Sequence, residues 1–197
     1  MAVLITPNVH VNKNNILKLI CRNIKPVCSA NFFMTTIAIN IEPSCRRFNI
    51  DRAQLRHTIR QVLKEFNRPA AAVGLVVTDN DAISRLHQQF LGAPEITDVL
   101  SFNLTDASGD SPLECDIIVN AERAWELSRQ KKELKFAAEL NLYIVHGLLH
   151  QLGFDDHCAR QARLMHRRED GLLIQLNFGP VYRQGRKKVI IPGRPPR

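Results

Sequence analysis

The sequence predicts an α+β fold, a small mixed four-stranded sheet with about five helices packed on it in one domain. Three observations lead there. Short segments that alternate or run apolar recur between segments of helical period. A chain of 197 residues with 45% apolar content can bury a proper core. One long helical stretch, residues 133–152, is apolar on nearly every face, so it belongs inside.

The first strand is Thr36–Ile41, where Ile37, Ile39 and Ile41 share one side as in a half-buried strand. Asp51 then opens a helix as its N-cap, with Gln54 three residues on. Leu55, Ile59, Val62, Leu63 and Phe66 form the helix's apolar stripe, and Pro69 stops it. Residues 72–78 read as a strand, and residues 80–90 as a helix ending near Gly92. Strands at 98–103 and 116–120 flank a polar stretch containing Ser108-Gly109-Asp110-Ser111-Pro112. The rest is helical, at 121–129, 133–152 and 159–176.

The net charge of +8 is unevenly placed. All nineteen carboxylates lie between Glu42 and Asp170, whereas ten of the 27 Lys and Arg fall in residues 1–33 and 180–197. The body is thus close to neutral. Residues 1–35 read as a basic extension with no fold of its own, Met34 standing just before the first strand as an alternative start. Residues 36–179 form the single domain, and 180–197 a flexible basic arm in which Arg186, Lys187 and Lys188 can neutralise phosphates. On the first helix Arg52, Arg56, Arg60 and Lys64 recur every four residues, either as a track for a phosphate backbone or as an ordinary solvated face. Five cysteines, odd in number and without a Cys-x-x-Cys pair, point to reduced thiols in a cytosol. No apolar run reaches the roughly 18 residues of a membrane span, so no membrane partner is expected.

The chemistry concentrates in His146-Gly-Leu-Leu-His150-Gln-Leu-Gly-Phe-Asp-Asp-His157. Histidines four apart on a helix present their rings on one face about one turn apart, where both can hold one ion. Gly153 is the expected left-handed helix end, and the reversal after it can return His157 as a third ligand. Three protein ligands leave a fourth position open, as in a catalytic zinc site, where bound water ionises at a pKa of about 7. The expectation is one zinc per chain, held by His146, His150 and His157 at the C-terminal end of a buried helix. Asp155, Asp116 and Asp98 are the candidates for moving protons.

This window resembles the zinc motif of the YbeY family of ribosomal-RNA maturation endoribonucleases. Thr97-Asp98-Val99-Leu100-Ser101-Phe102 and Glu114-Cys115-Asp116-Ile117-Ile118-Val119 resemble two of its strand signatures, and the likeness runs over about residues 36 to 178. It implies a zinc-dependent, single-strand-specific endoribonuclease in the cytoplasm. The expected role is maturation of the 3′ end of small-subunit ribosomal RNA and ribosome quality control, with ribosomal RNA, the small ribosomal subunit and its assembly proteins as partners. Three departures stand out. One extra residue follows Gly153, so strict spacing puts Asp156 where the family has its third histidine; a bulge in an exposed loop is cheap and favours His157. Phe90-Leu91 stands where the family has an aromatic-arginine pair, and Cys115 where it has glycine. Two other functions remain. A zinc peptidase needs a glutamate directly after the first histidine, where this chain has Gly147. A non-catalytic ribosome-assembly factor needs only a structural zinc.

Overall fold

The computed structural model describes residues 3–5, 35–105, 111–130 and 135–182. Its strands are β1 (Val3–Ile5), β2 (Thr36–Ile41), β3 (Ala71–Thr78), β4 (Val99–Asn103) and β5 (Leu113–Asn120). The helices among these residues are α1 (Arg52–Glu65), α2 (Asn80–Leu91), α3 (Ala121–Gln130), α4 (Phe136–Gln151) and α5 (Ala159–Gln175). The sheet order is β1-β4-β5-β3-β2. Only the β4–β5 pair is antiparallel, so the sheet is mixed as expected.

Four of these strands and all five helices match the sequence expectation. The additional strand, Val3–Ile5, comes from the segment expected to carry no element. It pairs in parallel with β4 from Val3↔Leu100 to Ile5↔Phe102. Three residues have no readable period, and what recruits them is the open edge of β4. Pairing with β3 likewise lengthens β5, whose first residues Leu113, Glu114 and Cys115 lie opposite Ala71, Ala72 and Val73. A 3-10 turn over Pro43–Arg47, set up by Pro43, was also not expected.

The helix ends follow their local chemistry. Asp51 caps α1, its carboxylate accepting from the Ala53 and Gln54 amides. That helix stops at Glu65, four residues short of Pro69. Asn67 adopts φ 50°, and the Arg68 amide donates to the Leu63 carbonyl at 2.8 Å, a left-handed end made with asparagine in place of glycine. Gly92, with φ 77°, ends α2 as expected.

Strand alternation divides the core between the two faces of the sheet. On one face Ile37, Val73, Leu75, Val77, Val99, Ile117 and Val119 meet Leu55 and Ile59 of α1, Ala124 of α3, Ile144 and Leu148 of α4 and Leu173 of α5. On the other, Val76, Leu100, Phe102 and Ile118 are covered by Ile83 and Leu86 of α2. Helix α4 is buried from Ala138 to Gln151 and lies directly on the sheet. A Cβ at Gly147 would come 3.0 Å from Ile117 Cγ2 and 3.2 Å from Val99 Cγ2. One turn later the Gln151 amide donates to Ser101 Oγ at 2.9 Å.

Glycine at 147 is therefore a spacing device. Alanine there should destabilise the fold by about 1–3 kcal/mol through overpacking, although alanine is the better helix former by about 1 kcal/mol. Urea denaturation of Gly147→Ala measures the balance; a stabilised variant would show that helix and sheet are not in such close contact.

Candidate metal centre

His146 and His150 are both buried on α4, with Nε2 atoms 3.0 Å apart. Each ring is fixed from behind. His146 Nδ1 lies 2.5 Å from Glu169 Oε1 of α5, and His150 Nδ1 lies 3.1 Å from the Phe154 carbonyl oxygen. A carbonyl or carboxylate oxygen only accepts, so each Nδ1 carries the proton and each Nε2 presents a lone pair. Two lone pairs at 3.0 Å repel unless a cation stands between them. Burial, and then the neighbouring His146, lowers the pKa of His150, so a proton is disfavoured in that place. A metal ion suits it: two nitrogens about 2.0–2.1 Å from one tetrahedral zinc lie roughly 3.3 Å apart.

The turn after α4 supplies the third group. Gly153, at φ 89°, takes the left-handed conformation expected of it. The Phe154 amide donates to the Leu149 carbonyl at 3.0 Å and the Gly153 amide to that of His150 at 3.1 Å. This reversal carries Asp156 back to the histidines. Its Oδ2 lies 3.8 Å from His146 Nε2 and its Oδ1 3.8 Å from His150 Nε2. The ligand atoms of His146, His150 and Asp156 all fall within 4.8 Å of one another.

His157, expected as the third ligand, is not brought to this pair. Its side chain is 75% exposed and its Nδ1 bonds to Asp155. The loop keeps the strict register without a bulge, because Asp155 also accepts from the Asp156 and His157 amides and so ties down the turn. That contact raises the pKa of His157 and lowers that of Asp155. Asp155, Asp156 and His157 form a second, outer group sharing Asp156 with the first. Cys158 is exposed, its thiol donating to Gln161, and stands apart from the histidine pair.

The remaining proton-transfer candidates lie elsewhere. Asp98 sits 3.5 Å from the Arg123 guanidinium. Asp116 is on the far side of the sheet: its neighbour Ile117 faces Gly147 of α4, so Asp116 points the other way, beside Gly74. Burial, followed by the charge of Glu114, pushes its pKa up to about 6. Of the arginine stripe, Arg52 and Arg56 donate to the Ile39 and Ile37 carbonyls at 2.8 and 2.6 Å, covering the open edge of β2. Arg60 and Lys64 are exposed, while Arg186, Lys187 and Lys188 lie outside the described residues.

Glu169 escaped the sequence reading although a signal was present. Met165, Leu172, Leu173 and Leu176 form the buried stripe of α5 and its end, and Glu169 stands within it, fully buried. A carboxylate on an apolar stripe needs a partner.

Fold and site together define a class: an α+β scaffold with side chains able to hold a metal ion on a buried helix and the turn that follows it. A family model described as Endoribonuclease YbeY matches residues 40–177, and the chain belongs to that family. It is thus a nuclease of the hydrolase class. An Endoribonuclease YbeY of Anaeromyxobacter sp. (strain Fw109-5) is 34% identical over 116 residues, covering 59% of this chain and 60% of that protein. One from Salinibacter ruber (strain DSM 13855 / M31) is 32% identical over 142 residues, covering 68% of this chain and 89% of its own. A Thermotoga maritima solution structure aligns with a TM-score of 0.52 at 23% identity, over 81% of this chain and 100% of that one, a likeness of fold.

Removing Asp156 should therefore weaken metal binding more than removing His157. Glu169→Leu, which frees the His146 ring to turn, should weaken it about 10- to 100-fold. Competitive zinc titration of Asp156→Ala, His157→Ala and Glu169→Leu checks both; a loss confined to His157→Ala would restore the bulged loop.

Asp116 yields a pH test. Its folded pKa of about 6 lies above the ordinary value of 3.8, so the folded state holds the proton more tightly. Its contribution to stability is fully present below about pH 4 and is lost as pH rises through about 6. Asp116→Asn should flatten the stability profile between those limits and stabilise the protein above pH 6 by at most about 3 kcal/mol. Denaturation midpoints at pH 4.5 and 7.5 decide; an unchanged difference between them would mean that Asp116 ionises normally.

Proposed function

We propose that this chain is a zinc-dependent endoribonuclease specific for single-stranded RNA, acting in the cytoplasm on the 3′ end of small-subunit ribosomal RNA and in ribosome quality control. One observation carries the metal: two buried Nε2 lone pairs face each other at 3.0 Å with a carboxylate 3.8 Å from each. His146, His150 and Asp156 would hold the ion. What zinc supplies when bound there is Lewis acidity toward a phosphoryl oxygen and a lowered pKa for water.

The protein's own groups prepare that chemistry. Glu169 and the Phe154 carbonyl hold the two rings in the tautomer that leaves Nε2 free. Phe154 packs edge-on against Phe66 at 5.5 Å, which anchors the turn that delivers Asp156. The packing also argues against peptidase chemistry. The position where a peptidase carries its glutamate is Gly147, and a side chain there would run into Ile117 and Val99. Family membership supports RNA as the substrate, and the ribosomal target is the one the family resemblance implies.

The purified protein, loaded with zinc, should cut a single-stranded RNA spanning the 3′ end of the small-subunit precursor and leave a duplex of the same sequence intact. His146→Ala should abolish cutting while ribosome binding persists. Cleavage by His146→Ala at the wild-type rate would refute metal dependence, and cleavage absent from the zinc-loaded wild type would leave a non-catalytic assembly factor.

A further inference from the structure

The 3-10 turn over Pro43–Arg47, the start of α4 and the outer face of α3 meet in an aromatic cluster that the metal centre does not use. Phe48 lies between two other rings, 5.7 Å from Phe136 and 6.0 Å from Trp125, centroid to centroid. Phe48 and Phe136 are half-buried, whereas Trp125 is 43% exposed. Guanidinium groups lie over two of the rings, Arg47 at 4.8 Å from the centroid of the central Phe48 and Arg129 at 5.5 Å from that of Trp125. Single exposed hydrophobic residues are normal on a protein surface. An indole that packs on a ring pair and carries an arginine beside it is a different surface, with a flat apolar face and a cation at its edge.

The neighbouring carboxylates are already engaged. Glu122 pairs with Arg47 and accepts from the Asn80 amide, while Glu126 accepts from Asn80 Nδ2 and meets Arg123. Arg129 has no carboxylate partner among the described residues, and exposed Lys135 adjoins Phe136 at the start of α4. Ten residues of α4, about 15 Å of helix, separate Phe136 from His146. A strand of RNA whose scissile phosphate lies at the metal centre is long enough to reach this cluster.

Resting on the endoribonuclease reading, we infer that Trp125, with Arg129 beside it, is a stacking platform for an unpaired base of the RNA substrate outside the metal centre. The chemistry matches the occupant. A nucleobase offers an apolar face to the indole and the adjoining phosphate offers charge to Arg129, and stacking of this kind tolerates any base. The platform selects for single strands, because a base in a duplex is already stacked.

Trp125 is the only tryptophan in the chain, so its emission reports on the platform directly. Metal-free full-length protein is titrated with 12-nucleotide oligoadenylate and, separately, with a duplex, while filter binding measures complex formation on the same samples. Saturable quenching by the single strand, tracking the filter-binding curve, is expected. Trp125→Ala should lower affinity about 5- to 100-fold, the range given by base stacking. Arg129→Gln should reduce the slope of log affinity against log salt by about 0.7. Both variants should keep wild-type zinc content and cleavage of a dinucleotide. RNA binding with unchanged emission and unchanged Trp125→Ala affinity would overturn the platform and leave the endoribonuclease reading standing. No RNA binding by the wild type would overturn both. A concentration-dependent blue shift without RNA would assign the surface to self-association instead.

Discussion

A helix buried on every side has to lie close against its sheet, and α4 does so at Gly147, where no side chain separates the helix from Ile117 and Val99. Much of the site follows from that contact. Gly147 and Gln151, one turn apart, form the row that faces the sheet, and the Gln151–Ser101 bond fixes the helix against sliding. His146 and His150 each precede that row by one residue, about 100° around the helix. They therefore sit on its flank, where α5 and the turn after Gly153 can reach them. An added methyl at 147 would push the helix outward and move both rings away from Asp156 and Glu169.

The polar groups of the centre would be a liability without a ligand. Glu169 is fully buried, and its carboxylate is held between His146 Nδ1 and the Tyr182 hydroxyl. Burying a charge this way is expensive unless it is repaid by a neighbouring cation. A divalent ion held by His146 and His150 would supply such a charge one imidazole away from Glu169. The carboxylate thus works through His146, setting its tautomer and enriching its nitrogen as a ligand.

Charges that look alike in sequence are put to different uses by the sheet. Asp116 and Asp156 are both acidic and near the motif strands or helix, yet alternation sends Asp116 to the opposite face, into the small space left by Gly74. Arg52 and Arg56 belong to a regular basic stripe, and their guanidinium groups close the exposed edge of β2. The aromatic cluster around Phe48 draws on three separate stretches of chain. Arg129 there lies over a ring instead of an edge carbonyl, which leaves the exposed face of Trp125 open to a ligand.

The sequence alone determined what depends on short spacing. The i, i+4 histidines, the glycine at the helix end, the apolar run of α4 and the alternation of β2 each follow from backbone geometry within a few residues, and all recur in the structure. The family likeness was legible for the same reason, being carried by contiguous motifs. Tertiary structure decided what depends on contacts between distant segments. Strand Val3–Ile5 exists through the open edge of β4, and β5 begins at Leu113 because β3 pairs with it there. The group nearest the histidine pair was open between Asp156 and His157, one residue apart in an exposed turn, and the fold brings Asp156 there while the His157 side chain faces solvent. Hydrogen bonds donated to the Asp155 carboxylate by the two following amides and the His157 ring settled the register. Glu169 lies 23 residues from His146 in sequence, and only the packing of α5 on α4 shows that they touch.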